Sequence, residues 1–499
     1  MKSKIFGILL LFETLFLLMT ALVALYYNKT CGETDLNSFL ITAGITGSVG
    51  LLLYVIGRKN KKALEIKDSY LIVSFTWVLF SIFGMLPFLI YGTVDNVTDA
   101  FFETMSGFTT TGSTVLNNID EQPHGILFWR SIIQWLGGLG IIVFALAFMP
   151  SVIRGSKKRM FFGAESSGLN VEKLQPKMQG TALNLWIIYI VLTLLCTVSY
   201  WIGPMSLYDA VCHAFTTIAT GGFSTHQQSI GYFHSNYIEY VCSIFMLLSG
   251  VNFAMYYFAS VRKFNLIRKN EETRTFLIIV FILVILFSLL FYIAPNLKTT
   301  TEAQINSYPK GANDIIRTSL FHVSTIISST GYQAVNFDYD IWGLYFLIPT
   351  LFMMVSGSCA GSTSGGIKII RLLVISKYIK NVFREFSHPT ALFSVKVSGQ
   401  SLEQSTVMRV CVFMALYFIL LAVTSVALTL TGLSFQDSFY AFVTCMGNCG
   451  PGANLTGPSY SFSELPVTAK WILSFTMLLG RLEIFTVFIL FTKSFWKAQ

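Results

Sequence analysis

Four short segments hold the residues whose types and spacing could do chemistry. TDAFFETMSGFTTTGST (98–114), YDAVCHAFTTIATGGFS (208–224), RTSLFHVSTIISSTGYQ (317–333) and QDSFYAFVTCMGNCGPG (436–452) align without gaps around one glycine each. Those glycines are Gly112, Gly222, Gly331 and Gly450, spaced by 110, 109 and 119 residues. They follow Thr110 and Thr111, Thr220 and Gly221, Ser329 and Thr330, and Asn448 and Cys449; only the glycine column is invariant. Glycine allows dihedrals denied to residues with a Cβ, so successive carbonyls can turn to one side. Four such strands around an axis would make rings of carbonyl oxygens, which replace the hydration shell of an alkali cation without a trapping full charge. The chemistry expected is cation passage. Catalysis would need convergent nucleophile, base or metal ligands, and no His-Glu-x-x-His, Gly-x-Ser-x-Gly or paired intramembrane Asp is present.

Short helices must hold these strands. Asp99, Asp209 and Asp437 each lie thirteen residues before their glycine and read as N-caps of helices ending at Phe108, Ile218 and Met446. About ten helical residues cover about half of a bilayer, so the segments are expected to be re-entrant, with non-helical backbone at a depth tolerated only when it is buried or lines a watery path. Each helix would aim the negative end of its dipole at mid-membrane, where it favours a dehydrated cation. One further column, Glu103, His213, His322 and Ala441, falls on these helices and reads as hydrogen bonding behind the strands.

The rest of the chain supplies the membrane frame. With 54% hydrophobic and 12% charged residues among 499, the chain is far too apolar for a soluble globule. Apolar spans are expected over 5–27 and 39–56, the first retained rather than cleaved as a signal peptide. Four span, half-polar segment, span units follow, with spans such as 71–91, 127–149 and 276–293. The units divide the chain into 1–67 (two leading helices), 68–178, 179–272, 273–400 and 401–499. The net charge of +9 is spread over loops near 58–67, 154–177, 262–274 and 368–396, which argues against nucleic-acid binding and, by the positive-inside rule, places those loops and both termini in the cytoplasm. The fold class is an all-α integral membrane protein with four parallel span/pore-helix/span repeats around a pseudo-four-fold pore. Ten full spans are expected, each repeat contributing two.

Two places depart from this scheme. Gly357, Gly361, Gly365 and Gly366, with several serines and Thr363, interrupt the span 341–375 just past the third glycine strand, and a helix break there would serve as a gate. Gly366 is followed by Ile, so this is not a nucleotide-binding P-loop. Lys368 just beyond could plug the path or snorkel. Arg481 falls near the middle of the last span, 471–491, and needs partners there; Glu483 faces another side of the helix, so carbonyls of the broken third-repeat helix are the candidates. No lone Asp or Glu is expected on an interior face midway through a span, which favours a channel-like mechanism over ion-coupled symport.

The parallel four-fold plan with one glycine per strand resembles the Trk, Ktr and HKT superfamily of potassium transporters. WRSIIQWLGGLGIIVFALAFMP (129–150), GSCAGSTSGGIKIIR (357–371) and LGRLEIF (479–485), with the two extra N-terminal spans, are similar to its TrkH branch over nearly the whole chain. The resemblance implies that K+ is the transported ion, that the break obstructs the path until a partner pulls it aside, and that the chain forms a homodimer with a cytosolic ring of TrkA-like nucleotide-binding subunits. It implies a bacterial inner-membrane location and no organic cofactor in this chain. Symport with sodium or protons is the alternative.

Overall fold

The computed structural model describes residues 2–59, 65–138, 140, 178–296, 308–334, 342–391, 393–457 and 461–497. The second basic loop and the continuation of the span 127–149 past Gly140 lie outside them. Among the described residues the chain is helical apart from one antiparallel pair, Lys396–Val397 with Gln400–Ser401, between the third and fourth repeats. Two leading helices, Lys2–Cys31 and Leu36–Arg58, form a hairpin whose backbones meet where a Cβ on Gly7 or Gly57 would overlap Tyr54 or Lys4. Small residues allow such close approach between membrane helices. The hairpin docks on the first repeat through Glu33, which accepts from the His124 backbone N (2.9 Å) and pairs with His124 Nδ1 (2.6 Å), while Tyr27 stacks on the imidazole.

Each repeat opens with a long apolar helix: Ile66–Gly84 continued by Leu86–Tyr91, Met178–Ile202, Glu271–Ile293 and Gln404–Thr429. The short helices follow as Val97–Phe108, Leu207–Ile218, Ala312–Ile327 and Phe435–Gly447. Their caps differ from the sequence expectation. Asn96, Ser206 and Ser434 are the N-caps, each accepting from the backbone N of Asp99, Asp209 or Asp437, which therefore sit at the third helical position. A carboxylate there still complements the positive helix end, and it also accepts from the cap side chain at 2.5–2.7 Å.

The second spans of the second, third and fourth repeats do not run through, and that of the first is described only to Gly140. The helices His124–Gly138, Asn236–Gly250, Leu344–Ser356 and Val467–Arg481 are only 13–15 residues long. The second resumes as Phe253–Ser260 at 92° and the fourth as residues 485–491 at 109°; the third resumes as Ile369–Ser387 after a loop. A break was expected in the third repeat alone. The others arise where Asn252 caps a new helix by accepting from Ala254 N, and where Glu483 takes a left-handed φ of +53°. Ion pairs join the repeats: Lys470 to Asp99 (2.5 Å), Arg317 to Glu239 (3.0 Å) and Arg371 to Glu483.

Candidate functional site

All four short helices end in the same way. Thr110, Thr220, Ser329 and Asn448, two residues before each glycine, have φ between +48° and +57°. Their backbone N–H groups bond three residues back, to Gly107, Thr217, Ile326 and Cys445. The next N–H reaches five residues back: Thr111 to Ser106, Gly221 to Thr216, Thr330 to Thr325 and Cys449 to Thr444, at 2.8–3.0 Å. This is the Schellman termination, normally served by glycine at the left-handed position. Holding Thr or Ser there costs about 1–3 kcal/mol each, and at three of the four positions the side chain explains why glycine is not used. Ser329 Oγ accepts from Gly365 N at 2.7 Å, Thr220 Oγ1 donates to Thr363 Oγ1 at 3.3 Å, and Asn448 Nδ2 donates to Thr111 Oγ1 at 2.8 Å. Buried Thr110 Oγ1 has no partner among the described residues.

The strands close a ring. A Cβ on Gly112 would overlap the Gly221 carbonyl oxygen, one on Gly222 that of Thr330, one on Gly331 that of Cys449, and one on Gly450 would stand 2.9 Å from that of Thr111. The order is first, second, third, fourth and back to first. With φ of +80° to +86° as well, no other residue fits the column. Ser113 Oγ donates to Gly450 O (3.0 Å), sealing the junction of first and last repeats.

One side of the ring opens into a funnel lined by the residues after each glycine, among them Ser113, Thr114, Ser224, Gln333 and Pro451. Its wall is braced by Arg130 and Gln134, which sequence reasoning did not single out, together with residues of the Glu103 column. Arg130, 1% exposed, pairs with fully buried Glu103 at 2.8 Å, donates to Ser224 O and Thr114 Oγ1 (both 3.2 Å), and lies over the Phe223 ring. Glu103 also accepts from Val115 N at 2.9 Å. Gln134 donates to Gly221 O (2.7 Å) and accepts from Phe223 N (3.0 Å), straddling the second strand. Repeated polar residues at 130 and 134, one helical turn apart in a span, were the available signal. His213 bonds Asp209 O and Ser224 Oγ, His322 bonds Thr350 Oγ1, and the Tyr332 hydroxyl reaches Thr216 and His213 O. At the funnel rim His226 stacks on Tyr232 between Asp120 (2.8 Å) and Asp209 (3.5 Å). Burial lowers its affinity for a proton, but the two carboxylates outweigh this and hold the imidazole pKa above its ordinary value.

The other side of the ring is covered by residues 357–368. Ser358 Oγ donates to Ile327 O (2.7 Å) and Thr363 Oγ1 to Ile218 O (3.0 Å), the carbonyl ends of two short helices. Gly365 lies so close to Gly447 O that a Cβ would overlap it, and Gly357 packs as tightly on Gly365 and Gly366. Gly361 O accepts from Phe253 N and Cys359 N donates to Gly250 O, bonding the loop to the break in the second repeat. Lys368 neither snorkels nor stands in open space: it is 7% exposed and folds back on Ser364.

Arg481 supplies the remaining junction. It lies at the C-terminal end of a helix, where the dipole favours a cation, rather than mid-way along a continuous span. Nη1 donates to Thr363 O in the loop (2.7 Å), as the sequence suggested, while Nη2 donates to Gly137 O (2.5 Å) and Gly138 O (2.6 Å) of the first repeat. Glu483 is engaged by Arg371. The loop and Arg481 thus tie the breaks of the second, third and fourth repeats to the end of the first repeat's helix at Gly138.

One sequence expectation fails outside the ring. Glu13 is an interior carboxylate well within the first span, fully buried. The sequence gives no sign of this, because only the packed hairpin and first repeat decide which face of that helix is inside.

These features define a membrane protein of four pore-loop repeats in one chain, closed about a carbonyl ring and crossed by an intramembrane loop. A family model described as "TrkH: Cation transport protein" matches residues 36–498, and the chain belongs to the TrkH family. It is 34% identical to the Trk system potassium uptake protein TrkH of Escherichia coli K12 and 36% identical to that of Vibrio parahaemolyticus, covering 99% of both chains in each case. The crystal structure of the potassium transporter TrkH from Vibrio parahaemolyticus superposes with a TM-score of 0.86 at 34% identity, over 99% of each chain.

Proposed function

We infer that the chain is the potassium-transporting, pore-forming subunit of a Trk-type uptake system in the bacterial inner membrane. The observation that carries this reading is the ring: four strands in cyclic order, each glycine seated on the carbonyl before the next repeat's glycine. Thr110 to Gly112, Thr220 to Gly222, Ser329 to Gly331 and Asn448 to Gly450 form the selectivity filter, with short-helix dipoles adding negative potential below it. The unpartnered Thr110 hydroxyl is a further oxygen for a cation leaving the ring.

The loop with Gly357, Gly361, Gly365, Gly366 and Lys368, latched by Arg481, is the gate, and in this conformation it is shut against the filter. The funnel faces outward and both termini lie in the cytoplasm. The assembly is a homodimer on a TrkA-like nucleotide-binding ring, which supplies the force that displaces the loop. The driving force is the membrane potential, about 2.3 kcal/mol per charge per 100 mV. Symport with protons or sodium is the second reading.

Rubidium uptake into potassium-loaded proteoliposomes tests the proposal. Flux through the wild type, lost in Gly112→Arg and little competed by external sodium, is expected. Absence of flux both alone and with the cytosolic partner would overturn it.

A further inference from the structure

Glu13 has no place in the pore just described. Neither carboxyl oxygen has a hydrogen-bond partner among the described residues, and its neighbours along the buried face are Leu9, Leu10, Phe16 and Leu17. A Cβ built on Gly84 would stand 3.2 Å from Glu13 Oε1, 2.9 Å from the Phe108 ring and 3.0 Å from the Thr104 methyl. The carboxyl therefore packs beside the last turn of the first pore helix, two residues before Thr110.

Charged groups on the surrounding elements are engaged elsewhere. Lys2 pairs with Asp68, His124 with Glu33, Arg130 with Glu103, and Arg481 with carbonyls. Lys4, Lys29, Arg58 and Lys67 lie at helix ends, and Asp99 pairs with Lys470. An ionised carboxylate in this setting would be desolvated without compensation, and such groups take up a proton instead. It would also stand beside the negative end of the first pore helix, adding repulsion.

We propose that Glu13 is a proton-binding site within the membrane core, occupied in this conformation, whose neutral form seats the first pore helix against Gly84. Release of the proton would put a charge behind the first filter strand, so proton occupancy at Glu13 and the seating of that strand are linked. The site stands whether or not the pore carries potassium.

Infrared difference spectroscopy on the full chain in liposomes, wild type against Glu13→Gln, reads the proton directly. The expected result is a protonated-carboxylic-acid C=O band in the wild type that persists at alkaline pH and is lost in the variant, with rubidium flux unchanged. A carboxylate band at neutral pH, or loss of flux in folded Glu13→Gln, would overturn the proposal. Glu13→Met provides a second arm through thermal melting. Removing an unpartnered polar group leaves the melting temperature at or above the wild-type value, whereas a large fall would mean that the carboxyl has a partner and is not a neutral acid.

Discussion

Arg481→Ala removes the hydrogen bonds that tie the loop to two other repeats while leaving the four glycine strands untouched. Of its three bonds to carbonyls among the described residues, that to Thr363 O holds the loop itself; those to Gly137 and Gly138 fix the guanidinium in place. A hydrogen bond from a charged donor contributes about 1.5–3 kcal/mol, and the partial exposure of this side chain favours the lower end. At about 1.4 kcal/mol per tenfold, its loss shifts the balance from seated to displaced loop by about ten- to a hundredfold. Rubidium flux through the purified chain without its partner should rise by a comparable factor until the filter becomes limiting. Arg481→Lys, which keeps the charge but cannot span both sites, should fall between. Unchanged or lower flux in folded Arg481→Ala protein would refute the latch.

Two further outcomes follow from the funnel wall. Glu103→Gln leaves the Arg130 guanidinium buried without its counter-charge, at a cost of about 3–5 kcal/mol; the detergent melting temperature should drop, and Arg130→Met added to it should restore part of the loss. His226 has a folded-state pKa above its ordinary 6.5, so its contribution to stability is complete below that value and is lost as pH rises through the folded pKa. Melting curves across this range should show a decline in the wild type that His226→Asn lacks, and identical slopes would contradict the ion pairs at the rim.

The fold was legible because its signals are local. A glycine column, hydroxyl-rich flanks and half-length helices recur four times, and the loop at 357–366 announces itself by composition. What stayed hidden depends on partners distant in sequence. Arg130 and Gln134 act on strands about 90 residues away. The break after Gly250 carries only a Val-Asn step, and that at Glu483 shows no helix breaker beyond Gly480. Asp99, Asp209 and Asp437 were placed at the cap because cap and third position both favour carboxylates, and only the Asn or Ser three residues earlier separates the two.

The cyclic order of the strands has a consequence for synthesis. The contact between Ser113 and Gly450 joins residues 337 apart, so the ring cannot close until the fourth glycine strand has left the ribosome. Until then three hydroxyl-rich segments wait in the bilayer with one neighbour missing, and a polypeptide truncated anywhere before the fourth short helix has an open seam instead of a pore. The wiring of the fold thereby ties the pathway for ions to synthesis of the fourth repeat, since the ring has no closed form before it.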